Sequence, residues 1–598
     1  MLPPSSLLAE LKRRRVFRAL IGYGLAAFAV LQIIEPVMHG LHWPESVLSY
    51  VVVALAAGFP VVVGVAWIFD AGPAGITRTA EATPGGPRGA RLVLLFLAVG
   101  LLAAAPGAIL FYAVRGHRLS RNTPGRASIA VLPLANISPQ ASDEYFADGM
   151  TEQLISTLSQ LPGLRVIART SVARFKGAPV DAAEIGRQLQ VGWLLEGSVR
   201  KDGERLRISV QLIEVEGQEH AWSEEYDRQV KEVFAIQSDV ARRVAQALRV
   251  RLVPAPSSPP TESPQALDAY LRGLYFSAAS QRGRDEEHAL DLAISMFQRA
   301  TELDPRYARA YASLGRAWAY KFFTFDPDPR WEQAAFVATE RALALDEGLA
   351  EVHLARADLV WTLQNHFPHE RAVRELRGAL RVNPNLADGH GSLGAVYLHL
   401  GFFDQALSEL GAAILIDPAN EYAPPRIARI HLYQGRYEQA LREYGEAPGW
   451  EGEAALALGH LGRAPEALAL LDGALARAAP ASRVLLADLA ASRAVILAGL
   501  GRRAEALESI ERAKVGKGTS HFHHAEYSIA SAHALLGDAA PAVEALEATA
   551  ADGLPCYPLF ERDPNLAKVR TDARFAAFLQ AQKRQWDAHQ QALAADGN

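Results

Sequence analysis

The segment "GHGSLGAVYLHLGFFDQALSELGAAILIDP", Gly389 to Pro418, carries the pattern that decides the fold of the longer part of the chain. Its small and large apolar residues recur at positions typical of a helix–turn–helix repeat of about 34 residues. The matching positions are His390, Leu393, Gly394, Tyr397, Gly401, Ala406, Leu410, Ala413 and Pro418. Small residues let paired helices approach closely, and large ones fill the space between them. We therefore predict a packed helical pair here.

Further copies of this pattern lie on both sides. Earlier copies end at "ELDP" (Pro305) and "ALDE" (Glu347), and later ones read "YQGRYEQALREY", "HLGRAPEALALL", "GLGRRAEALESI" and "LLGDAAPAVEAL". The pattern resembles the tetratricopeptide family. Each pair leaves an apolar face that only the next pair can cover, so the copies should stack into a solenoid with a concave groove. We predict about eight repeats over residues 265–552, with residues 553–598 as a C-terminal cap and tail.

A groove of this kind binds proteins or peptides, since the inward helix of each pair presents side chains to it. Arginine is the best candidate contact there, because a guanidinium group can hold a carboxylate through two parallel hydrogen bonds. The candidate groove contacts are Arg309, Arg316, Arg356, Arg426, Arg429 and Arg493. Arginine is also common on solvated helix faces, and that alternative stays open for each of them.

Residues 128–253 show the alternation of a small α/β domain. The run "SIAVLPLANIS" predicts a buried strand, and three more strands follow in "GWLLEGSVR", "ERLRISVQLIE" and "EHAWSEEYD". Between them lies "DEYFADGMTEQL", Asp143 to Leu154, which is rich in carboxylates. Because no histidine or nucleophile accompanies these carboxylates, we interpret the stretch as a helix start, with Asp148 as the N-terminal cap, rather than as a catalytic site.

These blocks, together with "YFADGMTEQLISTLSQLPGLRVIARTSVARFKG" and "EIGRQLQVGWLLEGSVRKDGERLRISVQLIE", resemble the TolB amino-terminal-like domain, which is related to the flagellar outer-membrane component FlgO. The resemblance implies a non-catalytic α/β module of envelope and signalling proteins, commonly followed by tetratricopeptide repeats. Family members can carry a cyclase, kinase or winged-helix effector domain before this module. Here the preceding segment is similar to the membrane leader of other members.

Three apolar runs support that leader. Ala19 to Met38, Val47 to Phe69 and Leu92 to Val114 are each long enough to cross a bilayer. We predict three transmembrane helices over residues 19–114, between a basic leader, 1–18, and a connector, 115–127. The lipid bilayer is then one partner.

Basic residues in the leader place the N-terminus inside. The C-terminal domains should then lie in the periplasm, next to a bacterial inner membrane. Four basic residues on the supposed outer side run against this orientation: Arg115, Arg118, Arg121 and Arg126.

Composition narrows the function further. The net charge is only −5, so we expect no nucleic-acid partner. The single cysteine, Cys556, excludes an intrachain disulfide and a cysteine-based metal cluster. The segment "HFHH" at His521, His523 and His524 has ligand types for zinc or copper, yet it begins a repeat helix and lacks a nearby fourth ligand. We therefore predict no catalytic residue, no metal and no cofactor.

The sequence thus predicts a multidomain fold: three transmembrane helices, a small α/β domain with a mixed sheet, a Pro/Ser-rich linker at 254–264 and an all-α tetratricopeptide-repeat solenoid. The expected function is a membrane-anchored, non-enzymatic scaffold or adaptor that binds proteins or peptides in its groove, in cell-envelope assembly. The alternative is a sensor or regulatory subunit of a transmembrane signalling system that has lost its effector domain. The sequence leaves the oligomeric state open.

Overall fold

A computed structural model describes residues 127–178, 180–251, 259–280, 286–326, 328–362, 364–445, 447–479, 482–519 and 521–595, a hairpin at 69–72 and 75–78, and the single residues Tyr23, Val30 and Leu55. The chain divides into two compact units, Met1–Gly125 and Arg126–Asn598. The second unit contains a mixed sheet and a tetratricopeptide-like helical array, as the sequence predicts.

The predicted membrane anchor requires a correction. Among the described residues, no helix combines the length and the hydropathy that a membrane crossing needs. Where the predicted second span ends, Phe69 begins a strand, β1 (Phe69–Gly72), which pairs antiparallel with β2 (Gly75–Arg78). Hydropathy reports apolar composition only, whereas glycine and β-branched residues at this point favour a hairpin. The rest of Ala19–Met38, Val47–Phe69 and Leu92–Val114 lies outside the described residues, apart from Tyr23, Val30 and Leu55.

The α/β domain is built on a six-stranded mixed sheet. Its strands are β3 (Ala127–Val131), β4 (Ala135–Asn136), β5 (Leu164–Val166), β6 (Trp193–Asp202), β7 (Arg205–Glu214) and β8 (Glu219–Gln229). Their order in the sheet is β5-β3-β6-β7-β8, with β4 also paired to β6. Strand β3 lies between β5 and β6 and is parallel to both, while β6, β7 and β8 form an antiparallel meander. The apolar positions of β7 are buried, and its alternate residues are more exposed.

Four helices cover this sheet: α1 (Glu144–Ser159), α2 (Arg169–Val172), α3 (Ala182–Leu189) and α4 (Val233–Ala247). Asp181 caps α3, since its side chain accepts a hydrogen bond from the Glu184 N–H. The predicted cap of α1 is wrong. Because Tyr145 and Phe146 are already buried, the helix starts at Glu144, and Asp148 lies inside it with its Oδ1 2.6 Å from the Lys176 ammonium.

The helical array follows as eight consecutive pairs in the described part of the chain. From the fourth pair to the eighth, the first helix of each pair lies against the first helix of the next pair. The pairs are α5 (Pro264–Ala279) with α6 (Glu286–Leu303), α7 (Ala308–Thr324) with α8 (Pro329–Leu345), α9 (Ala350–Val360) with α10 (His369–Val382), α11 (Ala387–His399) with α12 (Phe403–Ile416), α13 (Ala423–Tyr433) with α14 (Tyr437–Tyr444), α15 (Glu451–His460) with α16 (Ala464–Arg477), α17 (Arg483–Gly499) with α18 (Arg503–Ala513), and α19 (His523–Leu536) with α20 (Ala539–Ala551).

The sheet domain and the first helical pairs share one hydrophobic core, which runs without interruption from Ile129 to Ala338. Helix α1 packs on α5 at Gly149, where an added Cβ would lie 2.7 Å from the Leu271 Cδ2 atom. The glycine of the "ADGM" stretch therefore permits close helix packing. The Pro/Ser-rich segment consequently connects two parts that are packed together.

The last helical pairs fold back onto the middle of the array. A second core joins Leu393 and Tyr397 of α11 to Phe560 of α21 (Tyr557–Arg562) and Phe575 of α22 (Ala573–Ala595). The Arg377 guanidinium also donates a 2.8 Å hydrogen bond to the carbonyl near the end of α22. The C-terminal segment thus closes the second half of the array, which we take as α11 to α22, on itself.

Candidate functional site

We define the inner face as the side of the array that carries the first helices of the pairs. In the first half, the α/β domain covers this face. Arg309 of α7 donates a 3.2 Å hydrogen bond to the Gln153 side chain of α1. The Asn385 amide, just before α11, donates to the carbonyls of Ser159 and Leu164 at 2.9 and 2.8 Å. The inner face of the first half is therefore covered by the α/β domain of the same chain.

A polar cavity of about 350 Å³ lies at this junction. Both of its arginines are paired with carboxylates: Arg169 lies 3.4 Å from Glu152, and Arg316 lies 2.8 Å from Asp388. Burial raises the pKa of Glu152, and the Arg169 guanidinium acts in the opposite direction. Among the described residues that line the cavity there is no histidine, cysteine or lysine. Glu351 and Asp417 also line the cavity, so its carboxylates outnumber its arginines.

The second half of the inner face carries two adjoining cavities of about 230 and 110 Å³. Both are lined by Glu453, Asp488 and His524, which lie on the first helices of the sixth, seventh and eighth pairs. A cavity of this size holds one side chain or a chain terminus.

A buried ion pair organises the wall between these cavities. Arg429 is 8% exposed and pairs with Glu453, while its Nη1 donates a 2.7 Å hydrogen bond to His524 Nε2. Its guanidinium also lies 4.6 Å from the centroid of the Trp450 ring. Burial, with the nearby Glu453 carboxylate, raises the pKa of Asp488 to about 7. The wall is therefore a preorganised polar network.

Arg426 differs from its neighbour in having no carboxylate partner among the described residues. Its guanidinium stacks on Tyr422 at 3.3 Å from the ring centroid, and its Nη1 donates to the Tyr422 carbonyl at 2.8 Å. Trp450 lies on the cavity side, 5.7 Å away. Burial lowers the pKa of Arg426, and the adjacent Arg429 charge adds to that shift. The result is a cation held by aromatic rings at the edge of a cavity.

The remaining predicted contacts engage acceptors of this chain. Arg356 lies 3.1 Å from Glu340 and 3.0 Å from Glu375. Arg493 lies 2.8 Å from Asp472 and donates to Ser509. Arg316 and Arg309 face the α/β domain, as described above. Of the six predicted arginines, the structure brings only Arg426 and Arg429 together at the same cavity.

A group of four histidines, the histidine cluster, lies beside that cavity: His399, His521, His523 and His524. Three belong to the "HFHH" segment, and His399 is the last residue of α11. His399 and His523 are 4% and 1% exposed, and burial holds the pKa of each well below its ordinary value. Both rings are therefore neutral near pH 7. The fourth histidine that the local sequence lacks comes from a position 124 residues before His523.

Comparison with known proteins finds partial similarities. A family model described as the HilA/YgeH-like transcriptional regulator, second domain, matches residues 125–244. A curated relative, the putative adenylate cyclase 3 of Rhizobium meliloti (strain 1021), is 40% identical over 200 residues. That alignment covers 32% of this chain and 32% of the relative, so the chain spans about a third of the length of the curated relative it matches.

Solved tetratricopeptide-repeat structures also match. A repeat protein from Parabacteroides merdae ATCC 43184 is 15% identical with a TM-score of 0.31, and the match covers 43% of this chain and 97% of that one. A thermophilic repeat protein of Thermus thermophilus is 20% identical with a TM-score of 0.25, over 35% of this chain and 97% of that one.

Proposed function

We propose that this chain is a non-enzymatic scaffold that binds a carboxylate-bearing segment of another protein at the cavity formed by Tyr422, Arg426 and Trp450. The observation that carries the proposal is the state of Arg426, a partly buried cation whose contacts are aromatic rings and one backbone carbonyl. Arg426 forms no salt bridge in the described part of the chain, and a carboxylate from a partner could form one with it directly.

The composition of this surface also supports protein binding. Tyrosine, tryptophan and arginine are the residues that most often dominate interface energetics, and they do so in desolvated pockets. Tyr422 is 41% exposed, although it carries a large aromatic ring. The cavity of about 230 Å³ suits one acidic side chain or a C-terminal carboxylate as an anchor.

The test is selection from a library of random decapeptides that carry free C-terminal carboxylates, with binding to the full chain measured by fluorescence anisotropy. We expect Arg426→Ala to weaken the selected peptide about 30-fold, which corresponds to a hot-spot loss of about 2 kcal/mol. Arg426→Lys keeps the charge but loses the planar stacking. Its peptide affinity should lie between those of the wild type and Arg426→Ala.

Arg502→Ala is the matched control, because Arg502 is a surface arginine paired with Glu505 three residues away. Its peptide affinity should equal that of the wild type. Circular dichroism establishes that each variant is folded. Equal affinities for Arg426→Ala and wild type, or equal binding of peptides without any carboxylate, would count against the proposal.

A regulatory role is the second candidate, and two comparisons favour it: the match to a transcriptional-regulator domain and the relative named as an adenylate cyclase. Under this second proposal the α/β domain, which resembles the TolB amino-terminal-like and FlgO-related modules, is a receiver. It would respond when a peptide binds to the helical array. The covered junction between α1 and α7 is the contact through which such a response would travel. A regulatory role requires that peptide binding change hydrogen exchange in α1, whereas a passive scaffold leaves α1 unchanged. The periplasmic location stays a prediction.

A further inference from the structure

The histidine cluster lies at the seam where the fourth helical pair meets the eighth. His399 ends α11, and His521, His523 and His524 lie at the start of α19. One ligand-capable atom from each of the four residues lies within 4.8 Å of the other three. Four imidazoles in such proximity, drawn from two distant segments, form a ready-made set of nitrogen ligands.

The tautomers of His399 and His523 follow from their backbone partners. The Nδ1 atom of His399 lies 2.7 Å from the carbonyl oxygen of Ala395, and the Nδ1 atom of His523 lies 2.6 Å from that of Asp552. A carbonyl oxygen only accepts, so both Nδ1 atoms must carry the proton and donate. In each neutral ring the Nε2 atom is then an unprotonated lone pair. This arrangement, Nδ1–H to a backbone carbonyl with Nε2 free, is the one that metal-binding histidines commonly adopt.

The two free Nε2 atoms face each other at 3.1 Å. Since neither carries a proton, this contact is not a hydrogen bond but an approach of two lone pairs, which is unfavourable unless a cation lies beside them. In a tetrahedral zinc site with Zn–N bonds of about 2.0–2.1 Å, ligand nitrogens are about 3.3 Å apart. The observed separation therefore matches the bite that one metal ion requires.

The other two histidines differ in whether their ring nitrogens already form hydrogen bonds. His521 is exposed, its φ is +61°, and no hydrogen-bond partner of its ring occurs in the described part of the chain. A non-glycine residue in the left-handed region marks a position held there by its surroundings. His524 is engaged, because its Nε2 accepts from Arg429 at 2.7 Å and its Nδ1 lies 3.3 Å from the Tyr433 hydroxyl. His521 is thus the free third ligand, and His524 borders the cavity side.

We propose that His399, His523 and His521 bind one divalent transition-metal ion of the zinc and copper class, with the fourth coordination position on the cavity side next to His524. Neutral imidazoles select this class over calcium and magnesium, which prefer oxygen ligands. Because the ligands belong to α11 and to the segment that begins α19, the ion joins the fourth and eighth helical pairs and stabilises the closed second half of the array.

The test uses the full chain without a polyhistidine tag, stripped of metal with a chelator and then titrated with Zn²⁺ or Co²⁺. We expect one tightly bound ion per chain, and a Co²⁺ visible spectrum with the intense bands of tetrahedral nitrogen coordination. Zn²⁺ should also raise the unfolding temperature of the stripped protein, since it binds the folded state only. Weak, multiple-site binding with the pale spectrum of octahedral Co²⁺ would overturn the proposal without reference to any variant.

Variants locate the ion. His399→Gln and His523→Gln should each weaken Zn²⁺ binding at least about 100-fold, because each removes a direct ligand. His220→Gln is the control, since His220 is exposed on β8, and its affinity should match the wild type. Unchanged affinity in the folded double variant His399→Gln/His523→Gln would also overturn the proposal. Metal uptake is measured without any peptide, so failure of the peptide-binding proposal and failure of this one remain distinct.

Discussion

In the first half of the helical array the inner face is covered by another domain, whereas in the second half it is covered by the array itself. Helix α1 lies on the first helices and shares their core as far as Ala338. In the second half, α21 and α22 return to α11, and His399 meets His523 across four pairs. The same repeat pattern thus produces two different inner surfaces.

The difference shows that nearest-neighbour stacking alone does not describe this chain. A repeat array is stabilised mainly by contacts between adjacent pairs, so its halves are usually similar and independent. Here each half has one additional long-range contact set, from the α/β domain or from the C-terminal helices. The first set leaves a cavity whose two arginines are both paired with carboxylates, and the second leaves one with an Arg426 that forms no salt bridge in the described chain, beside a histidine cluster. Function should therefore concentrate in the second half.

The largest expected effect comes from breaking the closure of the second half. Phe560 is fully buried and contacts Tyr527 and Phe578, with ring centroids 5.8 and 5.3 Å away. Phe560→Ala should lower the free energy of unfolding by about 3–5 kcal/mol, through lost burial and the cavity it leaves. Hydrogen exchange read by peptide should show α19 to α22 deprotected and α1 to α6 unchanged.

Phe297→Ala is the matched variant for the first half, since Phe297 is 1% exposed and contacts Tyr270. It should produce the reverse exchange pattern, with the α/β domain and the first pairs deprotected. If both variants loosen the whole chain equally, the two halves form one cooperative unit and the comparison fails.

A smaller effect is expected at the covered half. In Gly149→Ala the new Cβ would lie 2.7 Å from Leu271 Cδ2 and 3.0 Å from Leu271 Cβ. This overpacking of a buried contact should cost about 1–3 kcal/mol of the free energy of unfolding, measured by urea denaturation. Adding Leu271→Ala should make the double variant more stable than the sum of the two single effects predicts, because the same atoms clash. Strict additivity would mean that α1 and α5 are not packed as described.

The smallest expected effect is electrostatic and has a counterpart in each half. Burial raises the pKa of Asp488 in the closed half and of Asp358 in the covered half to about 7. A carboxyl whose folded pKa exceeds its unfolded value of about 3.9 binds more protons when folded, so its contribution to stability falls as pH rises from 4 to 7.

Asp488→Asn and Asp358→Asn remove that loss. Each should be close to wild type at pH 4 and more stable than wild type at pH 8, by on the order of 1 kcal/mol after screening. Urea denaturation at the two pH values measures this difference. A gain that does not change with pH would contradict the raised pKa, and a gain for only one variant would show that one half is more open to water.

Local pattern predicted the parts of the molecule in which local and global preferences agree. The run "ERLRISVQLIE" and the helix–turn–helix pattern of Gly389 to Pro418 indicated a strand and a helical pair, and both occur. Asp148 was misjudged because Tyr145 and Phe146 extend the apolar face beyond the stretch in which periodicity was visible. The prediction of a three-helix anchor is wrong for a related reason: apolar length alone does not distinguish a helix from a strand, and Phe69 begins a strand.

The candidate site depends on contacts that no local window contains. The sequence places all six arginines on first helices. Whether each one is free to bind a ligand depends on acceptors such as Asp388, Glu375 and Glu453, which lie on other helices. Nothing in the local sequence around His399 indicates that it belongs to a histidine cluster. Only the return of the eighth pair brings it within 3.1 Å of His523.

By itself the sequence determined that a mixed-sheet domain precedes a stack of helical pairs, because side-chain periodicity specifies which face of each element must be buried. The tertiary structure decided which surface covers each half of the inner face, and therefore which cation stays unpaired and which imidazoles meet. The reason is physical: burial of an apolar face constrains only the nearest neighbour, whereas charge and ligand geometry depend on every element that packs nearby.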